Sequence, residues 1–168
     1  ILGALTGAGA VACAGEARVV VAVDSSSLTL VDHGDAKDFG AIGSYAQGGR
    51  GIKVISAYAM TETGVPLGLL HQEWWTRPKE KPEAAGKKKR TVEETETQRW
   101  LDAICGGAAE LRSRAPKTRA WFQIDREGDS TPILLGLHDT GQDFTVRAHW
   151  DREIEEHLAL RTEELIAA

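Results

Sequence analysis

The sequence predicts an α/β fold, and three observations carry that expectation. A β-branched run, Ala17-Arg18-Val19-Val20-Val21-Ala22-Val23, has the length of a strand and stops at Asp24. Between Glu93 and Arg114, apolar residues at Trp100, Leu101, Ile104, Ala108 and Leu111 recur at the three- and four-residue steps of a helix face. A second short apolar run, Ala120 to Ile124, stops at Asp125. Strands first, then helix, strand, helix and strand, suit a mixed sheet flanked by helices.

The elements follow in order. Residues 1–16 form a Gly- and Ala-rich lead-in, apolar but with no basic residue ahead of it and too short to cross a bilayer, so neither a secretory leader nor a membrane segment is expected. After the first strand, Ser27 to Val31 alternates and reads as a second strand segment, and the glycine-rich stretch from Phe39 to Gly51 reads as a loop. Ile52 to Met60 is a strand, Thr61-Glu62-Thr63-Gly64 has turn chemistry, and Val65 to Glu73 is the return strand of a hairpin. The Pro-, Lys- and Glu-rich segment 77–92 marks an exposed charged loop before the helix. Beyond Asp125, Ser130 to Leu137 suggests a short helix with Pro132 tolerated in its first turn. Asp143 to Ala148 is a further strand, and 151–168 a terminal helix marked by Ile154, Leu158 and Leu165.

At 168 residues, with 42% hydrophobic and 27% charged residues, the chain fits one domain able to bury a core. Cys13 and Cys105 stand far apart and belong to no metal-ligand spacing, so reduced thiols in a cytoplasmic setting are expected and zinc is not. A formal charge of −5 is unlike that of a free-standing nucleic-acid binder, whose grip rests on Lys and Arg neutralising phosphates. The run Lys87-Lys88-Lys89-Arg90 could contact a DNA backbone, yet Glu80, Glu83, Glu93 and Glu94 balance it, and a solvated loop is the other reading.

Asp24 and Asp125 carry the chemistry. Each follows a short apolar run, which suggests two carboxylates at the ends of buried strands; brought together they repel unless a cation lies between them. Hard oxygen ligands of this kind suit Mg²⁺ or Mn²⁺, and such sites commonly handle phosphodiesters. Taken alone, each aspartate also suits a strand-end cap that accepts nearby N–H groups, a role that Ser25-Ser26-Ser27 after Asp24 would share. Glu127 and Asp129 could support the ligands from behind, with helix capping an equal alternative for Asp129, and Arg126 could orient a carboxylate, touch a phosphate or form a surface ion pair. Between the aspartates lies Gly68-Leu69-Leu70-His71-Gln72-Glu73-Trp74-Trp75-Thr76-Arg77-Pro78, whose tryptophans read more readily as packing residues than as base-stacking ones.

In that order, these three segments resemble the DDE transposases of the bacterial insertion-sequence-four family, in its transposon-five-like branch. Asp24 before small hydroxyl residues resembles the family's first catalytic aspartate, and Asp125 to Asp129 resembles its Asp-Arg-Glu-x-Asp run. The Leu-Leu-His-Gln-Glu-Trp-Trp-x-Arg-Pro block matches over ten positions, and the resemblance covers roughly Ala17 to Trp150. It implies an RNase H-like sheet over residues 17–150 with the two aspartates on neighbouring strands, and it turns the reading of both from caps to metal ligands. It also implies two Mg²⁺ (or Mn²⁺) ions in the complete enzyme, with transposon-end and target DNA as partners, in a bacterial cytoplasm at the nucleoid.

The family's third acid, a glutamate in a Tyr-x2-Arg-x3-Glu-x6-Lys signature, has no counterpart in the 43 residues after Asp125. The expectation is therefore a catalytic-core fragment, incomplete on its C-terminal side and without the family's DNA-end-binding region. Such a piece would bind DNA weakly and be inactive by itself, with self-association left open. Two other classes stay open: a metal-dependent nuclease on the same fold, marked by cleavage without strand joining, and a non-catalytic remnant or interaction module, marked by a folded state that takes up no Mn²⁺.

Overall fold

The computed structural model describes residues 1–31, 33, 37–80 and 95–149. The expected terminal helix 151–168 lies outside them. Strand β1 (Arg18–Thr29) is a single strand, so the separate segment expected from Ser27 is its continuation. Its first half alternates between buried Val19, Val21 and Val23 and half-buried neighbours, the period of a strand with one face on a core. The glycine-rich stretch expected as a loop contains a short strand, β2 (Gly40–Ala41), a 3₁₀ turn at Tyr45–Gln47, and the start of β3 (Arg50–Met60). The Ser44 hydroxyl and the Gln47 side chain cap that turn reciprocally, an arrangement that composition alone conceals.

The hairpin forms as its turn chemistry predicts. The Thr61 amide donates to the Val65 carbonyl at 2.9 Å, and β4 (Pro66–Trp75) returns antiparallel to β3. Helix α2 (Thr97–Arg114) begins later than Glu93 and buries Trp100, Ala103, Ile104, Gly107, Ala108 and Leu111 along one stripe. Arg112 and Arg114 sit in its last turn, where their charge favours the carbonyl end of the helix. Strand β5 (Arg119–Ile124) follows, then α3 (Thr131–Asp139) with Pro132 in its first turn, then β6 (Asp143–Val146).

These strands make one six-stranded mixed sheet in the order β2-β3-β1-β5-β6, with β4 also paired to β3. β3 lies antiparallel between β1 and β4, whereas β1, β5 and β6 run parallel and are joined through α2 and α3. The register sets Val19 beside Ala120, Val21 beside Phe122 and Val23 beside Ile124, which lines up one apolar face. On it pack Ile104 and Leu111 of α2 and Ile133 and Leu137 of α3, in a single core.

The opening segment, where the sequence signals no more than a lead-in, forms helix α1 (Leu2–Ala12) and packs on β4. Ala10 and Cys13 are fully buried in the same core. Glycine permits this contact: a Cβ on Gly9 would meet the Leu69 carbonyl oxygen at 2.2 Å, and Gly68, at φ +148°, faces the Gly9 Cα. No helix of the described residues is long and apolar enough to cross a membrane.

Candidate metal centre

Asp24 and Asp125 are brought together by the parallel pairing of β1 and β5. The last matched pair is Val23 with Ile124. One step further along each chain are Asp24 and Asp125, on backbones about 5 Å apart by the ordinary spacing of paired strands. Val23 and Ile124 point into the core, Asp24 follows on the opposite face of β1, and both aspartates are exposed. A side-chain bond reports the same proximity: the Ser25 hydroxyl donates to Glu127 Oε2 at 3.1 Å, across the gap between the two segments.

Each aspartate also does what a strand-end carboxylate does locally. Asp24 Oδ1 accepts the Ser25 amide at 2.9 Å, and Asp125 Oδ1 accepts the Glu127 amide at 2.8 Å, capping the 3₁₀ turn Arg126–Gly128. The capping reading and the ligand reading therefore coexist, because one oxygen of each group accepts the amide. Among the described residues the Oδ2 atoms accept no hydrogen bond and neither aspartate forms an ion pair. Two exposed carboxylates with an oxygen to spare fit a hard divalent cation that keeps most of its water. No group of three or more His, Cys, Asp or Glu side chains suited to a metal ion occurs among the described residues.

The neighbours expected to support the pair are distributed around it. Glu127 is exposed and held by Ser25. Asp129 is buried, 5% exposed, and accepts the His149 amide at 2.6 Å, which ties the segment after β6 to the turn. Arg126 is exposed and, among the described residues, makes no ion pair. With Glu127, Asp129, Ser130 and His149 it lines an open groove of about 540 Å³ at the turn that follows Asp125. Lys87, Lys88, Lys89 and Arg90 lie outside the described residues.

The block from Leu69 to Pro78 divides its side chains between the two faces of the sheet. On the face opposite the core, Trp74 Nε1 donates to Gln72 and Gln72 Nε2 donates to Ser56 at 3.0 Å; Ser56 is the cross-strand neighbour of Asp24. On the core side, His71 pairs with Glu73 at 3.0 Å, and Trp75 packs against the core. Trp74 is exposed, so packing describes Trp75 but not Trp74.

A charged cluster near the start of α2 has no signal in the sequence beyond Arg77 itself. The Glu96 carboxylate accepts both Nε and Nη2 of Arg77, Lys53 Nζ at 2.9 Å and Trp75 Nε1 at 3.2 Å. Lys53 also lies over the Trp75 ring, 5.3 Å from its centroid. Burial alone would push the Glu96 carboxyl up, but the hydrogen bonds and charges of Arg77 and Lys53 outweigh it and hold it down at about 2. Arg77 is raised above its ordinary value, chiefly by its hydrogen bonds to Glu96, and the nearby carboxylate of Glu127 adds to the effect. No protein-family model matches the chain.

Proposed function

We propose that this chain is a catalytic-core portion of a DDE-type transposase, of the insertion-sequence-four kind, built on an RNase H-like sheet and acting on DNA phosphodiesters. The observation that carries the reading is the β1–β5 register, whose last pair, Val23 with Ile124, immediately precedes Asp24 and Asp125. Neighbouring strands for these two residues are what an RNase H-like sheet requires of the first and second acids. The family-like block adds support, since its Gln72 reaches Ser56 beside Asp24.

Asp24 and Asp125 would hold the divalent ions, which supply an activated water or 3′ hydroxyl and stabilise the leaving oxygen. The protein's own part is to place and tune the oxygens. The amides of Ser25 and Glu127 fix one oxygen of each aspartate, and the Ser25–Glu127 bond joins the two segments. Arg126, exposed at the groove, would meet a phosphate.

The test is an Mn²⁺ titration followed by electron paramagnetic resonance, on the wild type and on Asp24→Asn and Asp125→Asn. The wild type is expected to bind Mn²⁺, and each substitution to weaken binding at least tenfold with the circular dichroism spectrum unchanged. Wild-type protein that takes up no Mn²⁺, or variants that bind as well as it does, would sink the reading. A non-catalytic relative is the second reading, favoured by one observation: Asp125 already serves as the cap of its turn. Failure to bind Mn²⁺ in a well-folded chain would select it.

A further inference from the structure

The charged cluster at the start of α2 lies away from the open face, and no step above uses it. Its connections run in one direction. Lys53 comes from β3, Trp75 and Arg77 come from β4 and its exit, and all of them converge on Glu96, the residue before α2. Arg77 also donates to the Gly43 carbonyl at 3.1 Å, which brings in the loop before β3. One helical turn beyond Glu96 is Trp100, 6% exposed.

Trp100 lies against the turn that carries Asp125. A Cβ built on Gly128 would be 3.5 Å from Trp100 Cε3 and Cζ3 and 2.2 Å from Ile124 Cγ2, so the backbone of the turn rests directly on the ring and on the last residue of β5. Gly128 is the third residue of the turn, and its amide donates to the Asp125 carbonyl at 3.2 Å. Asp129 follows and donates its amide to the Arg126 carbonyl at 3.3 Å. The position of Asp125 is therefore set from below by an aromatic ring, and the ring is set by the first turn of α2.

We infer that Glu96 is a positioning residue for Asp125: by gathering Arg77, Lys53 and Trp75 onto the start of α2, it fixes Trp100 beneath the Asp125–Asp129 turn. The inference deepens the metal-centre reading, on which its relevance to catalysis rests, and gives the Trp-x-Arg part of the sequence block a physical task. Trp75 and Arg77 are anchors for the helix start rather than groups that touch substrate.

The experiment is amide hydrogen exchange by NMR on the full chain, read at Gly128 and Asp129 and, as reference, at Val21 and Phe122 in the core strands. Glu96→Ala is expected to speed exchange at Gly128 and Asp129 at least tenfold while the reference amides change less than twofold; Glu96→Asp, which keeps the charge, is expected to restore part of the protection. Should Glu96→Ala unfold the chain, Trp100→Phe, which keeps an apolar ring but shortens it, provides the second variant and is expected to give the same local pattern. In the double variant the two effects should not add, because both act through one contact. Exchange at Gly128 and Asp129 that stays at the wild-type rate, or rises only in step with the reference amides, overturns the inference. Mn²⁺ titration of the same samples keeps the two ideas apart. A wild type that binds no Mn²⁺ defeats the metal-centre reading, while the exchange result alone decides whether Glu96 positions the turn.

Discussion

Glu96 shows how much one side chain can differ from what its letter suggests. It is one of 25 acidic residues, and nothing in its surroundings in sequence separates it from Glu93 or Glu94. In the fold it receives four donors and titrates at about 2 instead of near 4.5. A carboxyl depressed in the folded state stabilises the protein fully above its unfolded value, and that contribution is lost as the pH falls through the folded value. The Glu96 side chain is 37% exposed, so solvent screening reduces an ideal contribution of about 3 kcal/mol to about 1–2 kcal/mol. Glu96→Gln should therefore be less stable than the wild type by about that amount at pH 7, with the gap closing between pH 4.5 and pH 2. Urea unfolding at a series of pH values checks it, and a gap that persists unchanged at pH 2 would contradict the assignment. Asp24 and Asp125, by contrast, are legible as candidates from their place after apolar runs, because strand ends and apolar runs are local properties.

At the scale of elements, strand and helix type follow from pattern, and boundaries follow from contacts. The β-branched run of β1, the stripe of α2 and the Thr61–Gly64 turn are all readable, since each is set by neighbours within a few residues. Helix α1 is not. Gly3, Gly7 and Gly9 lower helix propensity and leave no amphipathic stripe to detect, yet glycine is what lets this helix approach β4. Gly9→Ala should consequently stabilise an isolated helix but destabilise the protein. The new methyl would collide with the Leu69 carbonyl, a backbone atom that cannot swing aside, at a cost of about 1–3 kcal/mol. Chemical denaturation measures the loss. An unchanged or raised stability would mean that α1 is not docked as described. The long β1 teaches the complementary lesson. Ser25-Ser26-Ser27 suggests a break, but pairing with Val54, Ile55 and Lys53 of β3 carries the strand through, as tertiary context overrides weak propensity.

For the molecule as a whole, one core joins the sheet to α1, α2 and α3, and Phe122 on β5 is among its largest fully buried side chains. Phe122→Ala should cost about 3–5 kcal/mol, read as a fall in the denaturation midpoint with an unchanged slope. A loss below about 1 kcal/mol would mean that the sheet and helices do not share this core. The core also explains why the two aspartates meet. Val23 and Ile124 are neighbours because both are buried on the same face, and slipping either strand by one residue would turn its whole apolar set outward. By itself, the sequence determined the α/β class, the types of β1, β3 to β6, α2 and α3, and two carboxylates placed after buried runs, because these depend on side-chain chemistry and periodicity within a short stretch of chain. Only the tertiary structure decided that β1 lies parallel to β5, that Ser25 reaches Glu127, that a Gly-rich opening docks as a helix and that Arg77, Lys53 and Trp75 converge on Glu96. Those contacts join residues tens of positions apart, and which of them form is settled by the burial of one shared core, a quantity no local window contains.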